Sequence, residues 1–312
     1  MSVLHRLNLA HKFLILGVLA SALVALPTSV YVNRALGEIA VARLEVAGTQ
    51  PAIAIQKVVQ LTQQHRGISA GMLANNEALA TRRPAVRDAV NKAMGAVDES
   101  LKTQSASPAL VSSWAELRQR WTALEQAVAG RQLQAGDSLK QHTQLIASFM
   151  VFTERVLDDY KLSQDPVLAT SALINASLVE APWLAEKMGA VRAQGTGLLA
   201  QGGEVAPEGR ATLLGNQLRA KELYEGMLRN LEKTFQHDAT LKAHLTSGTE
   251  TLKTQVTATL AVASKEVIEA TAPSMPAPAF YDEFTRTIDS LYAFNAVAMQ
   301  GLVDTLEARV QG

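Results

Sequence analysis

After its first 33 residues, the chain repeats apolar residues at intervals of three and four positions, which is the period of an amphipathic α-helix. No window shows the alternation of polar and β-branched residues that a half-buried β-strand requires. Proline, glycine and aspartate interrupt the helical pattern at several points and mark helix ends. The pattern therefore predicts an all-α protein.

These breaks divide the chain into eight predicted helices. Their ranges are 13–75, 84–105, 108–129, 138–163, 166–200, 207–236, 239–270 and 280–310. Because short loops place successive helices antiparallel and side by side, we expect an N-terminal transmembrane helix followed by two four-helix-bundle-like modules. Pro51 and Pro182 fall inside long helical patterns, and each is expected to kink its helix or mark a boundary.

Residues 13–33 carry no charge and are long enough to cross a bilayer as a helix of about 20 residues. Arg6 and Lys12 precede this segment, so the positive-inside rule places residues 1–12 in the cytoplasm. Residues 34–312 then form a periplasmic helical domain, anchored in the inner (cytoplasmic) membrane by a single span. A cleaved signal peptide is the alternative, although no convincing small-x-small cleavage site follows the apolar run.

Composition narrows the classes of function. The chain carries 29 basic and 29 acidic side chains, and this balance argues against nucleic acid as a partner. It has no cysteine, which excludes disulfides, thiolate metal sites and a cysteine nucleophile. His237 and His244 lack a third candidate ligand, and no HExxH or Walker motif occurs. We therefore expect a protein that is not an enzyme and holds no metal or cofactor.

Two segments place an arginine on a helix face that is otherwise apolar or small. They begin at Arg66 and Arg192 and match at a constant offset of 126 residues, with arginine, glycine, leucine and alanine identical at four places. Ser69 and Thr196 add a hydroxyl three and four residues after their arginines. A guanidinium cannot shed its charge, so an arginine among apolar neighbours needs an anion or a cluster of acceptors.

The chemistry of these arginines allows two interpretations. In the first, both guanidinium groups converge on a small oxyanion, whose planar oxygens match their forked donors. In the second, each arginine extends its head to water or pairs across the bundle with an acid such as Glu186 or Asp159. His65, next to Arg66, is expected either in the same cavity or as a surface or core side chain. Periodicity alone leaves both interpretations open.

Two sequence words, QQHRGISAG at 63–71 and EKMGAVRAQGTGLLA at 186–200, accompany the basic N-terminus and the single span. In this combination the chain resembles the sensor region of bacterial methyl-accepting chemotaxis receptors. More narrowly, the Arg-Gly-Ile-Ser word at 66–69 resembles the nitrate- and nitrite-sensing (NIT-like) helical domain family. The resemblance implies paired four-helix bundles that bind a small anion between helices through arginines and then shift helices to signal.

The resemblance implies that Arg66 and Arg192 contact the ligand. It also implies an arginine from a later helix, for which Arg286 is the candidate, with Arg219 and Arg229 as alternatives. The family often has two adjacent arginines where this chain has a histidine before Arg66, so a carboxylate is an alternative to nitrate. The candidate ligand-binding residues are Arg66, Arg192, Ser69, Thr196, His65 and Arg286.

We therefore expect a membrane-anchored ligand-sensing domain of chemotaxis-type signal transduction, which binds a small anion such as nitrate, nitrite or a carboxylate. No second apolar span or output domain follows in the sequence, so signalling is expected to need a separate partner or a longer gene product. The resemblance also implies a homodimer. The alternative is a helical scaffold or dimerisation module at the membrane, in which the arginine-bearing stripes are only core.

Overall fold

The computed structural model describes residues 8–203, 205–271 and 273–311. Within these ranges every regular element is helical, which confirms the predicted all-α class. The helices are α1 (Leu9–Leu73), α2 (Glu77–Thr103), α3 (Pro108–Ala129), α4 (Ala135–Asp159), α5 (Leu168–Ile174), α6 (Ala181–Gln201), α7 (Pro207–His237), α8 (Ala239–Ala263) and α9 (Ala277–Gln311). A short 3₁₀ turn, Leu162–Gln164, precedes α5, and π-turns at Asn175–Glu180 and Ser264–Ile268 follow α5 and α8.

Side-chain caps define the starts of three of the helices. Asn76, Ser107 and Asp238 each accept a hydrogen bond from the backbone N–H three residues later, which satisfies a donor that the helix leaves unpaired. The predicted start of the second helix at Pro84 was wrong. Because Asn76 provides the cap, α2 begins at Glu77 and continues through Pro84.

The helices form two groups joined by α1. In the first group α1 packs against α2 and α4, and α3 packs against α4; in the second, α6 and α8 each contact both α7 and α9. The part of α1 from Ala42 onward also lies along α9, so the apolar side chains of both groups form one continuous core. Trp114 and Trp121 are buried in the first group.

The N-terminal half of α1 extends away from both groups. Ala42 is the first buried residue of α1, and the apolar segment before it packs against no other part of the described chain. Among the described residues, α1 is the one helix that is long and apolar enough to cross a membrane. The helix continues through Pro27 and Pro51, so Pro51 marks no boundary.

Pro182 accounts for the irregular backbone that precedes it. Proline has no N–H, and its ring displaces the preceding turn of a helix. The chain accommodates Pro182 with the π-turn Asn175–Glu180, in which the Ala181 N–H donates to the carbonyl of Ala176, five residues earlier. The expected disturbance at Pro182 is therefore present, and α5, the π-turn and α6 together replace the single predicted helix at 166–200.

The π-turn leaves the carbonyl of Ser177 without the donor that an α-helix would provide. That carbonyl accepts instead from Gln56 Nε2 of α1, at 2.6 Å, and from Asn295 Nδ2 of α9, at 2.9 Å. Asn295 also donates to Gln56 Oε1 at 2.8 Å. The polar groups released by the π-turn thus join three helices at one level.

A second polar cluster joins α1 to α9 nearer the apolar segment. Arg309 donates from Nη1 to Glu45 at 3.1 Å and to Asp165 at 3.0 Å, and from Nη2 to Thr170 at 2.7 Å. Both carboxylates are almost fully buried. Burial and the charge of Asp165 raise the pKa of Glu45 to about 7, although Arg309 opposes this effect. We refer to these four residues as the Arg309 cluster.

Candidate functional site

A cavity of about 330 Å³ lies between α1, α2, α6 and α9. All four helices contribute side chains to its wall, and the wall combines amide, hydroxyl and charged groups with aliphatic residues. The polar wall residues that matter for its chemistry are Gln63, Arg82, Arg192, Tyr281, Asp289 and Tyr292. The cavity is large enough for a small anion with several water molecules.

Arg192 is the central cation of this cavity. Its Nη1 donates to Thr285 Oγ1 at 2.8 Å, and its guanidinium carbon lies 4.7 Å from the centroid of the Tyr281 ring. Its Nε is buried and has no acceptor within the described chain, and no carboxylate there pairs with it. Burial and then the charge of Arg66 lower the pKa of Arg192, whereas Tyr281, Asp289 and Glu186 oppose this effect from a distance.

Arg66 has partners for both of its terminal nitrogens. Its Nη1 and Nη2 contact the two oxygens of Glu186 at 2.5 and 3.1 Å, and Nη1 also donates to Thr143 at 2.8 Å. Both Arg66 and Glu186 are buried. The pairing with Glu186 is one of the two alternatives that the sequence leaves open, and for Arg66 it is the one that the structure shows.

The Arg66–Glu186 pair lies behind the cavity wall and reaches it through two side chains. Gln63 Nε2 donates to Glu186 at 2.9 Å, and the Tyr292 hydroxyl donates to Gln63 Oε1 at 2.6 Å. Gln63 and Tyr292 both line the cavity. Burial, followed by the charge of Glu186, raises the pKa of Tyr292, so the phenol remains a neutral donor.

His65 and Ser69 point away from the cavity into the core of the first group. His65 Nδ1 lies 2.9 Å from His142 Nε2 and 3.2 Å from Ser69 Oγ, and its ring meets the edge of Trp121. Burial, followed by the facing imidazole, lowers the pKa of His65 to about 3, and burial lowers that of His142 to about 4. The pair is therefore neutral at physiological pH, and these two candidates do not join Arg192.

The remaining candidates also lie outside the cavity wall. Thr196 has a buried hydroxyl without a partner in the described chain, one turn after Arg192. Arg286 is exposed and pairs with Glu283 on its own helix at 2.5 Å. The alternatives Arg219 and Arg229 do not line the cavity either. Of the six predicted residues, Arg192 alone is a wall residue.

Sequence reasoning missed Arg82, Tyr281 and Tyr292. Arg82 was assigned to a break between helices, whereas α2 includes it. Tyr281 and Tyr292 are eleven residues apart, which is three helical turns, so they share one face of α9. That spacing could have predicted that both tyrosines line the same cavity.

Residues 67–71 read Gly-Ile-Ser-Ala-Gly, which fits the GxSxG pattern of serine hydrolases. That pattern works at a sharp turn between a strand and a helix, where the serine hydroxyl is exposed. Here the five residues lie inside α1, and Ser69 is fully buried against His65. The required geometry does not occur at this position.

Comparisons with known proteins agree with this architecture. A solved structure, that of the NasR transcription antiterminator, resembles the chain with a TM-score of 0.65 and 17% sequence identity, over 92% of this chain and 76% of that chain. At this level of identity the similarity shows the fold alone. No curated protein matches the sequence. The model of a family described as nitrate and nitrite sensing matches residues 57–309, which include the cavity wall from all four helices. The chain therefore belongs to the nitrate- and nitrite-sensing family.

Proposed function

We propose that the cavity around Arg192 binds nitrate or nitrite and that the chain is the sensor domain of a membrane-anchored signalling protein. The observation that carries this proposal is the state of Arg192, a half-buried arginine with a fully buried Nε, which lines a cavity without a carboxylate partner in the described chain. A planar anion can accept two parallel hydrogen bonds from such a group. Its binding would also offset the cost of burying the cation.

The rest of the wall suits a small oxyanion. Gln63 and Gln64 supply amide groups, and Arg82 adds a second cation at a more exposed position. Tyr281 covers one face of the Arg192 guanidinium and keeps water from it. A non-sensing scaffold remains the rival function, but it would pair both stripe arginines with acids, and in the described chain Arg66 alone has such a pair.

We further propose that residues 13–33 cross the inner membrane and that residues 34–312 face the periplasm as a homodimer. The exposed apolar segment of α1 and the basic residues before it support this orientation. In this arrangement the anion signals because it binds one arrangement of α1, α6 and α9 more tightly than another. The output is of the chemotaxis type and is reached through a separate signalling partner or a cytoplasmic domain.

Replacement of Arg192 by glutamine is expected to weaken nitrate binding by about 10- to 100-fold, because hydrogen bonds to a charged group contribute about 1.5–3 kcal/mol. Isothermal titration calorimetry of the full chain in detergent, with nitrate, nitrite and acetate, would measure this change. Arg286→Gln is the matched control, since Arg286 is exposed and bonded to its own helix. Unchanged nitrate affinity in Arg192→Gln would refute the proposed site.

A further inference from the structure

Charge compensation around the cavity is uneven. Arg66 and Glu186 form a buried pair whose charges cancel. Arg82 and Asp289 both line the cavity at exposed positions, where water screens them; Asp289 acts on Arg192 without forming an ion pair with it, and the two exposed charges add nothing to the net charge of the site. Arg192 is left as one half-buried positive charge without a carboxylate partner in the part of the chain that the structure describes. The site as a whole therefore lacks one negative charge.

Glu186 determines this balance. It is 5% exposed and binds Arg66 through both oxygens. It also reaches the cavity wall through Gln63. The charges of Arg66 and Glu186 are close enough to act on Arg192 in opposite directions. Without the carboxylate of Glu186, Arg66 would add a second uncompensated positive charge behind the wall.

We propose that Glu186 is a specificity-determining residue that restricts the cavity to singly charged anions by neutralising Arg66. This inference rests on the proposed anion site at Arg192 and adds the class of ligand that the site accepts. One monovalent anion such as nitrate or nitrite completes the balance. Sulfate or hydrogen phosphate would bring a second negative charge near the buried carboxylate of Glu186, and repulsion from a buried charge is screened less than repulsion between exposed charges.

The Glu186→Gln variant tests the charge with little change of shape. The one oxygen of glutamine can still accept from Gln63 and from Arg66 Nη2, whereas its NH2 group cannot accept from Arg66 Nη1, and the guanidinium charge of Arg66 is left uncompensated. We expect the ratio of sulfate to nitrate affinity to rise by about tenfold or more in this variant. Titration calorimetry of the full chain in detergent, with sodium nitrate and sodium sulfate at constant ionic strength, measures both affinities.

In Glu186→Gln, Arg66 is buried without an acidic partner, and the variant could fold poorly for that reason. Two further variants test the inference in that case. Arg66→Gln leaves the carboxylate of Glu186 as an uncompensated negative charge, so nitrate affinity is expected to fall by about tenfold. The double variant, Arg66→Gln with Glu186→Gln, restores the original balance. It is expected to recover the nitrate affinity and the nitrate preference of the wild type.

The outcomes separate this inference from the proposed function. If the wild type binds neither nitrate nor nitrite, the proposed function is wrong, and the inference is lost with it. If the wild type binds nitrate but sulfate equally well, or if Glu186→Gln leaves the ratio of affinities unchanged, the role assigned to Glu186 alone is overturned. A double variant that fails to recover what Arg66→Gln loses would show that Arg66 contacts the ligand directly, and would also overturn it.

Discussion

Replacement of Arg309 by methionine is expected to lower the free energy of unfolding by about 3–5 kcal/mol. Arg309 is the cation that Glu45 and Asp165 share, and both carboxylates are almost fully buried. At pH 8 its removal leaves two almost fully buried carboxylates close together without a counter-ion. Methionine retains much of the apolar stem of the side chain, so the loss reports mainly on charge.

The loss caused by Arg309→Met should depend on pH. Burial raises the pKa of Glu45 from 4.5 to about 7. The folded state therefore binds more protons than the unfolded state between these values, and the contribution of Glu45 is most favourable below pH 4.5 and declines as pH rises to about 7. Once protonated, Glu45 no longer needs Arg309 as a counter-ion, so the variant should lose less stability at pH 5 than at pH 8.

Denaturation of the full chain in detergent, followed by circular dichroism at pH 5 and pH 8, would measure both effects. Arg286→Met provides the matched control, because its exposed ion pair is worth at most about 1 kcal/mol. Equal losses in the two variants would contradict the buried position of the Arg309 cluster.

Acidification from pH 7 to pH 5 is expected to destabilise the first group of helices by about 2 kcal/mol for each of His65 and His142. Burial lowers the pKa of the two imidazoles to about 3 and about 4. Since the unfolded chain protonates them near pH 6.5, their contribution is complete above that pH and is lost as pH falls toward the folded values. Glu45 opposes this trend over part of the range, so variants must be compared with the wild type.

His65→Gln and His142→Gln should each flatten the dependence of the unfolding free energy on pH between 7 and 5. Thermal melting at several pH values would show the change in slope. His237→Gln is the control, because His237 is exposed and should leave the slope as it is in the wild type. If both buried-histidine variants keep the slope of the wild type, the two imidazoles are not excluded from water as the structure indicates.

Most of the fold follows from local signals. The period of apolar residues predicted the helices, and turn residues such as Ser107 and Asp238 located several of their ends. The start of α2 was misplaced by seven residues, because Pro84 was taken as a first helical residue while the cap at Asn76 was overlooked. Proline within a helix is tolerated when tertiary packing supports the turn, and a single sequence does not reveal that packing.

The site was less predictable than the fold. Arg66 and Arg192 were both assigned to inward faces, and both are held between helices. Whether each arginine meets an acid or a cavity depends on how α6 is rotated relative to α1 and α9, which no local pattern specifies. His65 turned to the opposite side for the same kind of reason. There it contacts His142, which lies on the buried face of α4.

The π-turn before Pro182 has a geometric consequence for Arg192. Each residue advances the direction of side chains around an α-helix by about 100°. A π-turn contains one residue more than the α-helical turn it replaces, so every later side chain points in a different direction around the helix axis. With one residue fewer between 175 and 180, α6 would turn a different row of side chains toward α9. The direction of the cation in the cavity is thus set eleven residues upstream, where Ala181 bonds to Ala176.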